Sequence, residues 1–306
     1  MMAVPLPWKL KGSIVTALGL MPGGERVYHA LQRLAGTTAA VDHWGAKHLV
    51  MLMQQHGRDP AGRTVLEIGT GWHPVLPLLC SLGDARRVVT LDINPWLDWA
   101  YARATLRHVR ERLDTFAPPL TVPLDTLRAR CAALADARSL RDFLDAARID
   151  YRCPADAVAC GLPDASMDVV VSSNVLEHVP PRALEAIHRE MHRVLRPGGL
   201  VIHRVDLSDH FSHNNARVSA LNFLKFSEDE WRRYGGGRLG YQNRLRPSMH
   251  IDLFRPHFRI LDTIIRRHQA TLDAIRAGEL ALAPEFGQVD PEDLAGERIV
   301  LVGEKA

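Results

Sequence analysis

A glycine run and a distant acid have residue types and spacing suited to cofactor chemistry. The run 67–71 (EIGTG) follows an apolar stretch and precedes a predicted helix that begins near Pro74. Glycines at the end of a buried strand let the backbone turn sharply and approach a ligand closely. Asp92 lies 21 residues after Gly71 in the sequence. At this spacing from the glycine run, an acid can accept hydrogen bonds from both ribose hydroxyls. The pattern therefore predicts a cofactor that contains adenosine.

The same loop argues against a dinucleotide. A dinucleotide site has a third glycine and binds a pyrophosphate at the helix N-terminus. Here Pro74 takes the last position of the run and removes an N–H donor. The carboxylate of Glu67 would repel a phosphate and attract a cation. A ligand with adenosine, a positive charge and no phosphate fits these residues, which describes S-adenosylmethionine (SAM).

A run rich in histidine and acid follows the fifth predicted strand. Residues 203–215 lie at the carboxyl end of that strand, where open parallel sheets bind ligands. His210 and His213 are the candidate general bases because imidazole titrates near neutrality. Asp206 or Asp209 is the candidate for the acid that orients the base, and we expect no resident metal. The alternatives are that the same side chains bind a metal ion or form a plain loop.

Aromatic, amide and guanidinium side chains are concentrated further along the chain, over residues 222–246. Such a mixture suits a flat or sugar-like acceptor, or one that carries a carboxylate or phosphate. The alternative is that the aromatic rings belong to the core and the arginines to the surface. The expected acceptor-binding residues are Arg204, Trp231, Tyr241, Asn243 and Arg244.

The elements that must position these residues alternate between strands and helices. Strands are predicted over residues 63–68, 87–93, 168–173, 200–205, 258–265 and 298–302. Helices are predicted over residues 25–34, 38–56, 74–82, 96–112, 181–195 and 269–278. Strands separated by helices of this length form a parallel sheet with helices on both faces.

Helical segments precede and interrupt this alternating pattern. Residues 1–60 are predicted to form a helical lid or cap, and residues 61–306 the main domain. Within the main domain, residues 113–148 form a predicted helical insertion and residues 206–250 a predicted substrate-binding insertion.

Four stretches, in order, resemble the class I SAM-dependent methyltransferases, specifically the type 11-like group. They are the glycine run, the acid Asp92, residues 154–168, and residues 173–199. The third is similar to the family's D-A-x-x-L-P-F-x-D-x-S-F-D run, and the fourth to its fourth strand, helix and glycine turn. The resemblance covers about residues 61–206. It implies a Rossmann-like α/β fold with a seven-stranded, mostly parallel sheet and helices on both faces, to which the N-terminal helices and the helical insertion are added.

The resemblance also implies particular contacts with the cofactor. Asp156 would contact the adenine amino group, and the N–H of Ala157 a ring nitrogen. The N-terminal helices, with Tyr28, His43 and Trp44, would close over the cofactor. The expected cofactor-binding residues are Glu67, Gly69, Thr70, Gly71, Asp92, Ile93, Asp156, Ala157, Asn174 and Val175.

The chain departs from the family pattern in two places. His73 stands where the family has a third glycine, which narrows the approach at the helix start. The insertion at residues 113–148 is longer than the usual link and would cover the site or form a dimer contact. His178, in the fourth stretch, is expected to bond across a turn, with a catalytic base as the alternative.

Composition limits the class of function. The 306 residues are 46% hydrophobic and 24% charged, so the chain can bury a sizeable core. The net charge is only +3 and no run of lysine and arginine is typical of a nucleic-acid-binding arm, which argues against a nucleic-acid partner. The four cysteines form no CxxC pair, which argues against a zinc module.

The first 22 residues allow two interpretations. An apolar stretch at residues 13–21 follows Lys9 and Lys11, as at the start of a signal peptide, but no small-x-small cleavage site follows. We expect a helix that packs on the protein, with contact to a membrane surface as the alternative. No segment reaches the roughly 18 apolar residues that cross a bilayer, and a cytoplasmic location is expected.

The sequence therefore predicts a SAM-dependent methyltransferase that acts on an oxygen or nitrogen atom of a small-molecule, natural-product or glycan acceptor. One alternative is a non-catalytic protein that binds SAM or serves as a scaffold. Another is a methyltransferase that acts on a protein, an RNA or a lipid-linked acceptor. Neither the acceptor nor the oligomeric state follows from the sequence.

Overall fold

Seven β-strands form one sheet in the computed structural model, which describes residues 7–34, 36, 41–213, 215 and 217–306. The strands are β1 (Thr64–Ile68), β2 (Arg87–Leu91), β3 (Ile149–Arg152), β4 (Met167–Ser173), β5 (Leu195–Asp206), β6 (Arg259–Arg267) and β7 (Gly296–Glu304). Their order across the sheet is β3-β2-β1-β4-β5-β7-β6. β7 runs antiparallel to its neighbours β5 and β6, and the other neighbouring pairs are parallel. The predicted Rossmann-like sheet is confirmed.

The central strands are buried on both faces because helices cover the sheet on each side. All five residues of β1 are buried. Val65 faces one hydrophobic core and its neighbour Leu66 faces another. Consecutive side chains of a strand point to opposite faces, so a strand in the middle of a parallel sheet is apolar throughout.

Thirteen α-helices occur in the described residues. They are α1 (Trp8–Leu20), α2 (Gly24–Leu34), α3 (His43–Gln55), α4 (Val75–Leu82), α5 (Trp99–Arg110), α6 (Leu113–Leu120), α7 (Leu124–Ala135), α8 (Leu140–Ala146), α9 (Pro181–Val194), α10 (Glu228–Gly235), α11 (Pro247–Phe254), α12 (Gln269–Arg276) and α13 (Pro291–Leu294). Residues from α3 to α8 form the core on one face of the sheet, and α9 and α11 contribute to the core on the other.

The insertion at residues 113–148 is helical, as predicted, and consists of α6, α7 and α8. Phe116, Leu127 and Phe143 are fully buried and belong to the same core as α3 and α4. The insertion therefore extends the main hydrophobic core.

The insertion at residues 206–250 has a small core of its own. Its members are Leu221, Phe223, Leu224, Trp231, Ala283, Phe286 and Leu294. Because three of these side chains come from residues 283–294, the insertion folds together with a later part of the chain.

The structure differs from the predicted elements in several places. β3, α10 and α11 were not predicted. The fifth helix begins at Trp99 because the side chain of Asp98 caps it, accepting from the Tyr101 N–H at 3.0 Å. The predicted start of the second helix near residue 38 lies outside the described residues, and α3 begins at His43.

The helices α1 and α2 form an N-terminal hairpin. Gly12 and Val15 of α1 are buried, and a Cβ on Gly12 would lie 2.7 Å from the carbonyl oxygen of Tyr234 in α10. This close approach fixes α1 on the 206–250 insertion. None of the described helices combines the length and apolar character needed to cross a membrane.

We predict that Phe143→Ala lowers the free energy of unfolding of the whole domain by about 3–5 kcal/mol, because it leaves a cavity in the main core. Urea denaturation followed by circular dichroism measures this. Arg141→Ala on the exposed face of α8 is the matched control and should stay within about 0.5 kcal/mol of wild type. A separate early transition in Phe143→Ala, with the main transition unchanged, would show that the insertion is not part of the core.

Candidate active site

The glycine loop after β1 contains two residues in the left-handed backbone region. Gly69 has φ +83° and Gly71 has φ +63°, which residues with a Cβ rarely adopt. A Cβ on Gly69 would lie 2.2 Å from Cγ2 of Val175, whereas one on Gly71 would meet no described atom within 4 Å. The loop therefore contacts the turn after β4 at Gly69, whereas the space beside Gly71 is open.

Glu67 lies on β1 just before this loop and is 6% exposed. Its carboxyl group accepts a hydrogen bond from the Thr90 hydroxyl at 2.5 Å, and the hydroxyl oxygens of Thr90 and Thr70 are also 2.5 Å apart. Burial raises the pKa of Glu67 to about 8, against the hydrogen bond from Thr90, and the carboxylate of Asp92 adds to the rise. A cation near Glu67 would favour its charged form.

Asp92 follows β2 directly and is tied to both neighbouring loops. Its Oδ2 accepts from the Gly71 N–H at 2.8 Å, and its Oδ1 accepts from the Asn94 N–H at 2.9 Å. Burial raises the pKa of Asp92, while these backbone hydrogen bonds oppose the rise. Ile93, next to it, is 65% exposed. The acid predicted to bind a ribose thus lies beside an open apolar surface.

The predicted adenine-binding residues lie at the same edge of the sheet. The Ala155 N–H donates to the Asp92 carbonyl at 2.8 Å, which fixes the loop after β3 beside the end of β2. Asp156 is exposed, and its Oδ1 accepts from the Val158 N–H at 2.9 Å. Ala157 is buried. The structure therefore brings Asp156 to the edge that carries Asp92.

The helix α2 lies over the residues that follow the glycine loop. The ring of His29 is 3.6 Å from that of Trp96, and Trp96 is 4.5 Å from Trp72. Arg33 lies over the ring of Trp72 and donates to Asp98 at 2.9 Å. These long-range contacts hold α2 beside the residues that follow the glycine loop, and His29 and Arg33 were not singled out in the sequence.

Two of the residues predicted for the lid lie on α3 and not on α2. His43 lies on α3, and its Nδ1 is 3.1 Å from Nε2 of His108 in α5. Trp44 is 65% exposed. Tyr28 lies on α2 itself, where burial raises the pKa of its hydroxyl group.

His73, the departure from the glycine pattern, is turned toward α5. Its Nδ1 lies 3.0 Å from the Thr105 hydroxyl, and its ring is 5.1 Å from that of Tyr101.

Arg204 of β5 connects three elements around the turn after β4. Its guanidinium donates to Asn174 Oδ1 at 2.8 Å, to Ser173 Oγ at 3.0 Å and to Asp42 Oδ2 at 3.0 Å. Asp42 caps α3 and accepts from the Gly45 N–H. Arg204 was predicted to bind the acceptor, but its described contacts hold α3 and the strand ends together. The acid before a helical pattern marks Asp42 as a cap, whereas its pairing with Arg204 has no signal in the sequence.

Asp206 and His213 are brought together as predicted. His213 Nε2 lies 3.4 Å from Asp206 Oδ2 and 3.0 Å from the Ser208 hydroxyl. Burial alone would raise the pKa of Asp206, but hydrogen bonds from His213 and Ser208 hold it below its ordinary value. Asp209, the other candidate acid, accepts from the Asn222 side-chain amide instead. Asp206 is therefore the acid beside the histidine.

His210 lies between two other imidazoles. Its ring is 4.8 Å from that of His213 and 4.9 Å from that of His178. Burial lowers the pKa of His210 to about 3, so the ring is neutral at physiological pH, and its Nε2 has no hydrogen-bond partner among the described residues. His178 lies 2.8 Å from the Tyr241 carbonyl through Nδ1, so it bonds to the 206–250 insertion and not across the turn after β4 as expected.

Glu177 was not predicted from the sequence and is 1% exposed. Neither carboxyl oxygen has a hydrogen-bond partner within the described ranges, and burial raises its pKa well above the ordinary value. A buried acid inside an apolar run has no periodicity or spacing that would mark it.

Two groups of side chains in this cluster could hold a cation. They are Glu177, His178 and His210, and Asp206, His210 and His213, in each of which the candidate ligand atoms lie within 4.8 Å of one another. The alternative of a metal ion thus has a suitable set of donors.

Three of the predicted acceptor-binding residues are buried in structural contacts. Trp231 is 2% exposed and donates to the Gln242 carbonyl. The Asn243 amide donates to two carbonyls of the turn after β4. Arg244 is paired with two glutamates and with carbonyls of the insertion. Their placement does not support acceptor binding, and among the five predicted residues Tyr241 is the one that stays partly exposed.

We predict that Glu67→Gln flattens the pH dependence of stability. A carboxyl with an ordinary pKa of 4.5 and a folded value of about 8 stabilises the fold fully below its unfolded pKa, and this contribution is lost as the pH rises to about 8. Relative to the variant, wild type should lose about 1.4 kcal/mol of unfolding free energy for each pH unit between about pH 5 and pH 8. Urea denaturation at a series of pH values measures this, and parallel curves for the two proteins would contradict it.

Comparison with known proteins finds similarity to methyltransferases over part of the chain. The Methyltransferase domain family matches residues 66–203. A curated relative from Mycolicibacterium smegmatis, named as a probable S-adenosylmethionine-dependent methyltransferase, is 30% identical over 184 residues, which is 60% of this chain and 52% of the relative. The chain therefore spans about half the length of that relative.

Two solved structures are also similar to this chain. A SAM-dependent methyltransferase from Methanosarcina mazei is 14% identical with a TM-score of 0.44, covering 79% of this chain and 92% of its own. A geranyl diphosphate methyltransferase in complex with SAM is 11% identical with a TM-score of 0.46, covering 85% of each chain.

The matched residues 66–203 carry the glycine loop, the acid after β2 and the turn after β4, and the sheet brings all three to one edge. Residues 66–203 of this chain are therefore similar to a methyltransferase domain, and the relative that the chain resembles is a probable SAM-dependent methyltransferase.

Proposed function

We propose that the protein transfers a methyl group from SAM to an oxygen or nitrogen atom of a small-molecule, natural-product or glycan acceptor. The observation that carries the proposal is the pairing of His213 with Asp206 after β5. The imidazoles of His210 and His178 continue this cluster to the turn after β4, and Val175 of that turn touches the glycine loop. A base is thereby linked to the cofactor edge through adjoining side chains.

The residues at the cofactor edge fit SAM. The open side of Gly71 leaves room for a ligand beside the loop, and Ile93 offers an apolar surface to an adenine ring. Asp92 would hold the ribose and Asp156 the adenine amino group. When bound, SAM supplies a methyl group on a positively charged sulfur, near which the Glu67 carboxyl would become charged.

His213 is the general base of this proposal. An N–H at its Nε2 donates to Asp206 and Ser208, which leaves the lone pair of Nδ1 for the proton of the acceptor. The side chain is 44% exposed and therefore accessible to an acceptor. The carboxylate of Asp206 stabilises the imidazolium that forms.

His210 stays neutral beside the base. Because its pKa is held at about 3, the ring does not compete with His213 for the proton. Alignment of the acceptor with the methyl group is the other part of the rate enhancement.

Two alternatives are less well supported. A scaffold that only binds SAM has no need of an exposed imidazole beside a buried carboxylate. A methyltransferase acting on RNA would need a basic surface, whereas the net charge of this chain is +3.

We predict that His213→Ala lowers the rate of methyl transfer by about 10²–10⁴-fold, because the acceptor then keeps its proton. The rate is measured as S-adenosylhomocysteine formed from SAM with a panel of monosaccharide, phenol and amine acceptors. S-adenosylhomocysteine binding should be unchanged in the variant. The matched control is His268→Ala, an exposed histidine whose Nδ1 lies near Thr271, and its rate should equal that of wild type.

Three results would contradict this account. Full activity of His213→Ala would exclude it as the base. SAM binding by wild type without turnover of any acceptor would favour the non-catalytic alternative. Loss of activity after dialysis against a chelator, restored by a divalent cation, would show that the cluster acts by holding a metal.

A further inference from the structure

The helix α2 is amphipathic, but its apolar face points away from the protein. Its polar and aromatic face packs on the protein through His29 and Arg33. Its apolar side chains Val27, Leu31 and Leu34 are 50%, 50% and 84% exposed. These three are spaced at i, i+4 and i+7, so they form one stripe on the opposite side of the helix. An amphipathic helix normally buries this stripe.

The helix α1 presents a second apolar stripe away from the protein. Trp8, Gly12 and Val15 lie on the side that packs against the 206–250 insertion. Leu10 and Ile14, at i and i+4 on the other side, are 48% and 41% exposed.

Both stripes meet at the turn between the helices. Leu20 and Met21, in and after the last turn of α1, are 84% and 57% exposed. Of the twelve large apolar side chains that are exposed in the described part of the chain, seven lie between Leu10 and Leu34. Such a concentration marks an interaction surface, because single exposed apolar residues are scattered on ordinary surfaces.

The charge of the hairpin identifies the kind of partner. Residues 8–34 contain four basic residues and one acidic residue, Glu25. Glu25 is paired with Arg238 of the main domain, so its charge is already compensated there. Lys11 and Arg26 remain as exposed cations beside the apolar stripes. A surface with an apolar stripe and flanking cations is complementary to a bilayer with anionic lipids.

Other occupants fit less well. A two-fold dimer through this hairpin would place two surfaces of the same positive charge against each other, because residues 8–34 contain four basic residues and one acidic residue. A membrane span is excluded for α1 by its length, because 13 residues extend over about 20 Å and the hydrocarbon core is about 30 Å thick.

We propose that the α1–α2 hairpin docks on the surface of a bilayer that contains anionic lipids, with its two apolar stripes in the interface. The inward face of α2 contacts Trp72 and Trp96 beside the glycine loop, so docking would hold the cofactor edge near the membrane. The docking itself does not depend on methyl transfer.

The test is co-sedimentation of the full chain with vesicles of phosphatidylcholine alone or mixed with phosphatidylglycerol. We expect binding to the mixed vesicles that weakens with salt. Leu31→Gln with Leu34→Gln should weaken it at least about tenfold, because two side chains lose their burial in the interface. Arg26→Glu should weaken binding to the mixed vesicles only. Ile264→Gln, at an exposed apolar position on β6, is the matched control and should bind as wild type does.

The same samples are checked by circular dichroism and by light scattering for mass. No binding of folded, monomeric wild type to either vesicle would overturn the proposal, as would equal binding of the double variant. A wild-type dimer that Leu31→Gln with Leu34→Gln converts to a monomer would assign the stripes to a second copy of the chain instead.

Discussion

Two backbone N–H groups donate to the carboxylate of Asp92, one from Gly71 in the loop after β1 and one from Asn94 in the loop after β2. The carbonyl of the same residue accepts from Ala155 in the loop after β3. Because β1, β2 and β3 are parallel neighbours, their carboxyl ends meet, and one residue fixes all three loops relative to one another. Gly71 also adopts the left-handed backbone region, so the loop that Asp92 holds favours a glycine at this position.

A second connection joins this edge of the sheet to the histidine cluster. Gly69 is pressed against Val175, and Glu177 and His178 follow in the same turn. On the neighbouring strand, Arg204 holds that turn against the cap of α3. The histidine cluster follows β4 and β5, and the glycine loop follows β1, so both lie at the same edge of the sheet. A sheet can in this way hold two ligands next to each other.

The sequence was sufficient for six of the seven strands and for the position of the glycine loop beside Asp92, and the reason is local. Strand periodicity, the glycine run and the spacing to Asp92 are all carried by residues close together in the chain, and the family resemblance supplied the rest. The structure brought Asp206, His210 and His213 together as expected, although their roles in catalysis stay predictions.

The sequence was not sufficient where a residue's partner lies far along the chain. Trp231 and Arg244 have the residue types of an acceptor site, yet Trp231 belongs to the small core of the insertion and Arg244 is paired with two glutamates. The helix α10 could have been found from its Ser227–Glu230 capping box, which the density of aromatic and basic residues around it obscured. Apolar residues at helical spacing usually mark the buried face of a helix. In α2 the same spacing marks the exposed face, because Leu31 faces away from the protein.

Calorimetric titration with S-adenosylhomocysteine, on wild type and on Asp92→Ala, tests the central claim most directly. The account predicts wild-type binding on the order of micromolar and a loss of at least about tenfold in the variant, because a charged group leaves both the ribose site and the glycine loop. Asp150→Ala, an acid on the adjacent strand β3, is the control and should bind as wild type does. Absence of binding to wild type, or equal binding by Asp92→Ala, would contradict the account.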